Sequence, residues 1–261
     1  MLRRVATPKG RVAAGCYSIE GIRLHERALR AGMPMQQVVV GESWGKRPSS
    51  RIQQLLQDLN HVDCPIMMAP DDVMGELTNG RSLGAILGLI KLPRLPTLPE
   101  LIAKTERSLL LVAVNVVDPG NVGAMVRTAH ASGCTGLVAV GVSDPFHPKA
   151  VRNSMGSLFK LPVARYEDAA GLLVDLRDVG IESVGTAVNG GTLLPQVKLG
   201  GKGTAVLLGN EYFGLPDDLT AQLDTLVTIP MAAGVDSFSV NAAAAIILYE
   251  IGRGGIVNSE W

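Results

Sequence analysis

The stretch that decides the fold reads LVTIPMAAGVDSFSVNAAAAIILYE and spans residues 226–250. Its apolar start is typical of a buried strand, and Pro230 ends that strand because proline cannot donate a hydrogen bond to a sheet. A loop of small residues follows. We predict a helix from Ser237 onward, because serine favours a helix N-cap and residues 242–249 carry no charge. On its own, this stretch equally fits the last strand and helix of any α/β domain.

Outward from this stretch, apolar runs and helical segments alternate through the rear half of the chain. The predicted strands are 108–117, 136–141, 161–164, 183–188, 204–209 and 226–229, and the predicted helices are 121–132, near 147–157 and 167–180. Runs that are apolar throughout indicate strands covered on both faces, and hence a mostly parallel sheet. Ligands bind beyond the carboxyl ends of such strands. The loops expected there, all rich in small or turn-forming residues, are 118–121, 189–191, 209–214 and 230–234.

The front of the chain has the pattern of a small α/β/α unit. An amphipathic helix is predicted after Tyr17 and ends at Gly32, and it is followed by strands at 36–41, 64–69 and 84–92 and helices at 49–60 and 71–79. Three prolines between residues 92 and 100 indicate a semi-rigid linker. The expected domains are therefore 1–95, which begins with a mobile basic arm at 1–14, then a linker at 96–107 and a second domain at 108–261.

Composition limits the classes of protein to which the chain can belong. With 47% hydrophobic and 18% charged residues in 261, the sequence is typical of a folded globular protein. It has no apolar run near the roughly 18–20 residues that span a bilayer, and the pattern of a secretory signal is missing. Its three cysteines are far apart, which argues against a disulfide framework or a metal site and favours the cytoplasm.

Charge is distributed unevenly along the chain, although the net charge is zero. Residues 1–95 hold 13 Lys and Arg against 8 Asp and Glu, a balance of +5, and residues 96–261 hold 11 against 16, a balance of −5. A basic front half indicates contact with a polyanion such as RNA, although ordinary surface variation could give the same imbalance.

Several common sites are disfavoured by the rear loops. The segment DPGNVGAMVRTAHASG at 118–133 follows a strand but lacks the full G-x-G-x-x-G pattern of dinucleotide sites. A P-loop and a nucleophile elbow are absent from the sequence as well. What remains is a pocket of backbone groups and small side chains with few charges, among them Arg127, Glu211 and the polar residues of 237–241. Such a pocket can bind a zwitterionic, adenine-bearing cofactor through main-chain hydrogen bonds.

Three stretches resemble the signature motifs of the SpoU-type (TrmH-like) RNA 2'-O-ribose methyltransferases of the SPOUT superfamily. The first is NVVDPGNVGAMVRTAHASG at 115–133, the second LLGNEYFGLP at 207–216, and the third IPMAAGVDSFSVNAAAAIILYE at 229–250. The front half, from YSIEGIRLHERAL to GAILGLI, is similar to the substrate-binding domain of the same family. The resemblance covers nearly the whole chain, in order.

This resemblance implies an α/β protein whose C-terminal parallel-sheet domain forms a trefoil knot, preceded by a small α/β/α RNA-binding domain. It also implies a homodimer through the knotted domain, no metal, and S-adenosylmethionine as cofactor. Main-chain groups of Gly209, Ile229 and Phe238 would contact the cofactor. The residues expected around it are Ala187, Asn210, Glu211 and Met231.

The resemblance further implies methyl transfer to a ribose 2'-OH of RNA, with rRNA favoured over tRNA because of the front domain. Arg127 would bind the phosphate beside the target and stabilise the developing oxyanion, since a guanidinium is a permanent cation. Asn121 and Glu211 would orient Arg127 and its loop, and Ser237 would hold the target nucleotide. An alternative for Arg127 is a purely structural salt bridge to Glu211.

The third motif departs from the family pattern, which usually reads Ser-Leu-Asn-Val-Ser. Here it reads Ser237-Phe238-Ser239-Val240-Asn241, so that asparagine and the second serine have exchanged places. Residues two apart on a helix point about 200° away from each other. Asn241 is therefore not expected to replace the missing amide, and Ser239 is the expected site residue. The exchange also leaves open a protein that binds RNA or assists ribosome assembly without transferring a methyl group.

Overall fold

The computed structural model describes residues 1–46, 48–78, 80, 86–103, 107–197 and 202–252. The chain divides into two compact units. The first comprises residues 1–94 together with 146–159, and the second comprises 95–145 and 160–261. The boundary after residue 94 lies next to the expected one, but the segment 146–159 belongs to the first unit, although the sequence placed it in the rear domain.

The first unit is built on a four-stranded sheet with strand order β1-β4-β2-β3. Its elements are α1 Pro8–Ala14, β1 Cys16–Glu20, α2 Ile22–Arg30, β2 Met35–Gly41, α3 Glu42–Lys46, α4 Ser50–His61, β3 Ile66–Ala69, α5 Asp71–Leu77 and β4 Ile86–Lys91, with α8 Pro148–Asn153 from the later segment. β4 runs antiparallel to β1 and β2, and β2 runs parallel to β3.

β1 was missed by the sequence reasoning, because its residues were assigned to the start of an amphipathic helix. The helix α2 begins only at Ile22, after Gly21, whose φ of 87° interrupts the strand-to-helix path. Strand residues such as Tyr17 and Ile19 are buried against the sheet. The predicted ends at residues 79, 84 and 85 lie outside the described residues.

The prediction of a mobile arm at residues 1–14 is wrong. A short 3₁₀ helix, Arg4–Ala6, precedes α1, which Thr7 caps by accepting a hydrogen bond from the backbone N–H of Gly10 at 3.1 Å. Val5 is fully buried, and the Arg11 guanidinium donates to the carbonyl oxygen of Val5 at 3.1 Å. Arg11 therefore stabilises this local fold, while Arg3, Arg4 and Lys9 remain exposed.

The second unit is built on a seven-stranded sheet with strand order β7-β6-β5-β10-β8-β11-β9, in which every pairing is parallel. Its elements are α6 Leu98–Ile102, β5 Ser108–Val114, α7 Pro119–Ala131, β6 Gly136–Val140, β7 Val163–Tyr166, α9 Ala169–Val179, β8 Glu182–Thr186, β9 Thr192–Leu193, β10 Gly203–Leu208, α10 Asp217–Thr220, β11 Thr225–Thr228 and α11 Val240–Ile251. The parallel sheet predicted from continuous apolar runs is confirmed. The two-residue β9 is too short to have left a pattern.

The core of this unit lies on the sheet, where all seven residues of β5 are buried. The linker expected at 96–107 contains α6, and its Leu98 and Leu101 are buried in the same hydrophobic cluster as β5. α6 therefore forms part of the second unit; residues 104–106 lie outside the described ranges. Its start follows a capping box, in which Thr97 and Glu100 satisfy each other's backbone N–H groups.

The last helix, α11, begins two residues later than predicted. Ser239, and not Ser237, is the N-cap, and its Oγ accepts a hydrogen bond from the N–H of Ala242 at 3.3 Å. Serine and asparagine are about equally good at this position. The serine at 239 therefore preserves the helix start despite the departure from the family pattern. α11 packs against α7.

Candidate active site

A cavity of about 570 Å³ opens at the carboxyl ends of β8, β10 and β11. This volume is within the range of small-ligand sites, and the location is the one that parallel sheets favour. Three of the four loops predicted to carry chemistry line it. The lining includes Thr186, Ala187, Val188, Asn189, Leu208, Gly209, Asn210, Glu211, Tyr212, Phe213, Gly214, Leu215, Ile229, Met231, Asp236, Ser237 and Phe238.

All seven residues predicted to surround the cofactor lie on this cavity. They are Ala187, Gly209, Asn210, Glu211, Ile229, Met231 and Phe238. Segments that are widely separated in the sequence thus meet at one edge of the sheet. The structure supports their proximity; their contacts with a cofactor stay a prediction.

The loop after β10 is held over the cavity by its own hydrogen bonds. Asn210 and Gly214 exchange backbone hydrogen bonds of 3.0 and 2.9 Å, and Gly214 takes a φ of 68°, which favours glycine. The Asn210 side chain accepts hydrogen bonds from the N–H groups of Tyr212 and Phe213. A Cβ on Gly209 would lie 2.1 Å from the carbonyl carbon and oxygen of Gly214. The close approach of the two backbone segments thus requires glycine at 209.

Glu211 ties this loop to the loop after β5, at the point where the strand order reverses. Its carboxylate accepts hydrogen bonds from the N–H groups of Val117 and Asp118, both at 3.2 Å, and from the side-chain amide of Asn121 at 3.0 Å. Burial alone would raise the pKa of Glu211, but these hydrogen bonds outweigh it and hold the pKa below its ordinary value. Glu211 is therefore an anion that organises the loops.

The five residues predicted to act in catalysis are not all brought together. Glu211 and Ser237 line the cavity, and Asn121 reaches it through Glu211. Ser239, expected as a site residue, serves as the cap of α11. Arg127 lies exposed on α7 and outside the cavity lining. Asn121 and Arg127 are six residues apart, so Arg127 is about 9 Å further along the helix axis.

The proposed salt bridge between Arg127 and Glu211 is not present. Among the described residues, Arg127 has no ion-pair partner. The carboxylate of Glu211 instead faces the backbone N–H groups and Asn121. The guanidinium of Arg127 is thus available to an outside group, and a structural role beside Glu211 is not supported.

Sequence reasoning missed Asn241, which contacts the first motif directly. Its side-chain amide donates a hydrogen bond to Oδ1 of Asn121 at 3.0 Å. Residues two apart on a helix do face different ways, as the sequence argument assumed. However, Ser239 is the N-cap of α11, and Asn241 is the residue that contacts α7. Knowing that α11 packs on α7 was needed to see this, and no sequence signal carried that information.

Tyr212 and Phe213 were also missed as site residues. Their side chains are 86% and 88% exposed, although both line the cavity. Two adjacent aromatic residues in a turn, directly after Glu211, were a signal in the sequence that could have found them. The Asn210 side chain holds their backbone N–H groups, so the two rings project from a hydrogen-bonded turn.

The described ranges contain neither a cluster of metal ligands nor a helix that could span a membrane. No cluster of three or more His, Cys, Asp or Glu there could hold a metal ion. Within the same ranges, no helix is long and apolar enough to span a membrane.

A parallel sheet with a cavity lined largely by backbone and small side chains at its carboxyl edge defines an α/β protein that binds a small ligand. The sequence profile of the SpoU rRNA Methylase family matches residues 108–249, more than half of the chain. The chain therefore belongs to this family, and the family predicted from the three motifs is confirmed.

Characterised relatives of the chain are similar over nearly its whole length. It is 28% identical over 250 residues to the 23S rRNA (guanosine(2553)-2'-O)-methyltransferase RlmP of Bacillus subtilis, which covers 95% of this chain and 93% of that protein. It is 30% identical over 252 residues to a 23S rRNA (uridine(2479)-2'-O)-methyltransferase of Streptomyces viridochromogenes, which covers 93% of this chain and 84% of that protein.

The structure of the chain is also similar over nearly its whole length to solved structures of this family. The SpoU methyltransferase AviRb from Streptomyces viridochromogenes, crystallised with the cofactor AdoMet, superposes with a TM-score of 0.85 at 28% identity. The superposition covers 98% of this chain and 96% of that one. The predicted α/β fold class is thus confirmed for both units.

Proposed function

We propose that this protein is an S-adenosylmethionine-dependent methyltransferase that modifies a ribose 2'-OH of ribosomal RNA. The observation that carries the proposal is the convergence of the second and third motif loops on one cavity, to which the loop of the first motif is joined through Glu211. Membership of the family and the activities of the relatives support the same chemistry. They favour a catalytic protein over one that merely binds RNA.

The cavity fits the proposed cofactor in its charge and its apolar lining. Among the described residues, its lining includes Glu211, Asp217 and Asp236 but no lysine or arginine, which suits a ligand with a positive sulfonium and ammonium. Leu215 and Phe238 offer apolar contacts for an adenine. Main-chain groups of Gly209, Ile229 and Phe238 would bind the cofactor, with Ala187, Asn210 and Met231 around it. S-adenosylmethionine, when bound there, supplies an electrophilic methyl group.

The residues of the chain then act on the RNA. Arg127 binds the phosphate beside the target ribose and stabilises the 2'-oxygen as its proton passes to solvent water. Ser237, exposed at the cavity edge, holds the target nucleotide. Asn121 and Glu211 keep the first and second loops in register. Holding the reacting groups in place can contribute on the order of 7–11 kcal/mol to such a transfer.

The position of Arg127 outside the cavity lining favours a homodimer, in which Arg127 of one copy completes the cavity of the other. α11 offers a face for this contact, since Ala245 and Tyr249 are exposed one helical turn apart, with Ala242 and Ile246 half-buried beside them. Tyr249 is 71% exposed. A contiguous apolar patch on a helix is typical of an association surface. The dimer would thus form through α7 and α11.

We further propose that the segment after β11 threads through the loop between β8 and β10, which forms the knot of the family. The support is that residues of both segments, among them Ala187 and Ser237, line one cavity.

Three free, buried cysteines, Cys16, Cys64 and Cys134, fit a reducing cytoplasm, where ribosomal RNA is found.

RNA would contact exposed basic residues of the first unit. At the mouth of the cavity, it would contact the aromatic residues Tyr212 and Phe213. Arg4 and Lys9 lie exposed at and near the start of α1. Each phosphate contact contributes to the salt dependence of binding. We expect the double variant Arg4→Ala/Lys9→Ala to reduce the slope of log affinity against log salt by about 1–2. A wild-type slope would exclude these residues from the RNA contact.

The proposed activity is tested by incubating the purified chain with rRNA and radiolabelled S-adenosylmethionine. We expect label in an alkali-resistant dinucleotide, the signature of a methylated 2'-OH. Calorimetry with the cofactor is the companion measurement. If the protein neither transfers a methyl group nor binds the cofactor at millimolar concentration, the proposal is contradicted. That result would favour a non-catalytic RNA-binding protein.

A further inference from the structure

A chain of side-chain hydrogen bonds connects the first turn of α11 to the loop after β10. The amide nitrogen of Asn241 lies 3.0 Å from Oδ1 of Asn121, and the amide nitrogen of Asn121 lies 3.0 Å from Oε1 of Glu211. Glu211 in turn accepts the N–H groups of Val117 and Asp118. The three motifs of the second unit are thus joined through three side chains, which we call the amide relay: Asn241, Asn121 and Glu211.

The direction of the amide relay is set by its carboxylate. Glu211 faces three N–H donors, so it must be the acceptor. Asn121 must therefore turn its NH₂ group to Glu211, which leaves its oxygen facing Asn241. Asn241 must then present its own NH₂ group. The orientation of both amides follows from this chemistry, and a reversed amide at either position would place two donors or two acceptors face to face.

The position of Asn241 in this relay lowers the stability of the fold. Its Oδ1 is buried and has no hydrogen-bond partner within the described part of the chain. Burying an amide oxygen without a partner destabilises a protein. Residues that break a packing rule tend to lie at functional sites. The NH₂ group of Asn241, and not the space that the side chain fills, is therefore the reason for asparagine at 241.

The loop that the relay holds is the one above the donor cavity. Its other anchor is Asn210, whose side-chain amide donates to the backbone oxygen of Asn115 at 3.1 Å. Tyr212 and Phe213 extend from the same loop at the cavity mouth. A change in the position of Glu211 would therefore shift groups on both the cofactor side and the RNA side.

We propose that Asn241 is a positioning residue for methyl transfer, which acts by fixing the direction of the amide relay and hence the position of Glu211. The inference rests on the proposed function. It also explains the exchange in the third motif: Ser239 caps the helix, and Asn241 reaches α7.

The test variant is Asn241→Asp, which keeps the shape and suits the first turn of a helix. Its carboxylate would face the oxygen of Asn121, so that Asn121 turns its amide and withdraws a donor from Glu211. We expect kcat to fall about tenfold or more, because small misplacements at a site are costly. The dissociation constant of S-adenosylmethionine should rise by a smaller factor than kcat falls. Asn60→Asp, at an exposed position of α4, is the matched control.

A double-mutant cycle tests whether the two positions act through one relay. In the double variant Glu211→Gln/Asn241→Asp, a relay that is already weakened at position 211 has less left to lose at position 241. We expect the double variant to be more active than the product of the two single effects predicts. Multiplicative effects would mean that the two positions act independently and would overturn the proposal.

A measurement that does not depend on methyl transfer separates this inference from the proposed function. Carboxyl ¹³C NMR follows the titration of Glu211, and we expect its pKa to rise in Asn241→Asp and, by a smaller amount, in the uncharged Asn241→Leu. An unchanged titration in both variants would overturn the relay. A raised pKa with unchanged kcat would overturn the positioning role. Wild-type protein that transfers no methyl group would instead contradict the proposed function, while the titration would still decide on the relay.

Discussion

The cavity proposed to bind the methyl donor and the outer face of α7 belong to the same unit. A single chain brings together the predicted residues of the cavity, but it does not bring Arg127 of α7 to that cavity. Loops after β8, β10 and β11 bring every predicted cofactor residue onto one cavity. Arg127, which carries the proposed catalytic charge, stands exposed outside that lining. The difference supports the proposal that donor binding is a property of the single chain, whereas the reaction needs Arg127 of a second copy.

The largest expected effect is on the α7 side. Arg127→Ala should lower kcat about 10²–10³-fold, because one charge that stabilises the developing oxyanion is lost. The affinity for S-adenosylmethionine, measured by calorimetry, should stay unchanged because Arg127 is outside the cavity lining. Arg165→Ala, another exposed arginine of the second unit, is the control and should retain activity. Full activity of Arg127→Ala would remove the residue from the mechanism.

On the cavity side, Gly209→Ala should weaken cofactor binding by about 30-fold, roughly 2 kcal/mol. The added Cβ meets the backbone of Gly214, which must move out of the loop that bounds the cavity. Gly171→Ala adds a Cβ at an uncrowded position in α9 and is the matched control. Calorimetry gives the affinities, and circular dichroism checks that each variant is folded. Wild-type affinity of a folded Gly209→Ala would mean that the donor binds elsewhere.

At the mouth of the cavity, Tyr212→Leu and Phe213→Leu should each raise the KM for RNA about tenfold, as expected for the loss of one base-stacking contact. Neither change should alter the affinity for the cofactor. Tyr212→Phe keeps the ring and should behave as wild type. If both leucine variants keep the wild-type KM, the aromatic pair does not contact RNA. A change in oligomeric state, seen by analytical ultracentrifugation, would assign the pair to the contact between two copies.

The smallest effect concerns the hydrogen bonds that join the first loop to the cavity. Glu211 has a lowered pKa, so its carboxylate stabilises the fold above its unfolded pKa, and this contribution is lost as pH falls through the folded pKa. Glu211→Gln should therefore lower the free energy of unfolding at neutral pH by about 1 kcal/mol, after allowance for solvent exposure. The difference from wild type should vanish in acid. Denaturant titrations between neutral and acid pH measure it.

The matched control for this pH dependence is Glu167→Gln, at an exposed position. It should leave the free energy of unfolding unchanged across the same range. A Glu211→Gln difference that stays constant down to strongly acid pH would show that the ionised carboxylate is not what stabilises the loops.

Much of the second unit could be predicted from its sequence, because its central strands are continuous apolar runs. Every residue of β5, β6 and β10 is buried, as expected for strands covered on both faces. The cofactor loops followed from the rule that ligands bind at the carboxyl edge. β1 could not be predicted in the same way, since it is short and directly precedes an amphipathic helix whose pattern extends into it.

The polar part of the site was only partly predictable, since it depends on which helices pack together. Glu211 was found from its motif, but its acceptance of two backbone N–H groups requires the first and second loops to meet. Asn241 was set aside because a helix-wheel argument compared it with Ser239, while the contact that matters is with α7. Arg127 was expected beside the cavity because the resemblance gives a residue's role but not its position in the molecule.

The measurement that tests the central claim most directly is complementation between two inactive chains. Arg127→Ala keeps the cavity intact, and Gly209→Val blocks it, so each chain alone should be inactive. Co-expressed with different tags and purified through both, the mixed species should recover about one half of the wild-type activity per dimer, because one of its two sites is intact. A mixed species that forms but stays inactive would contradict the account and show that Arg127 does not complete the cavity of a second copy.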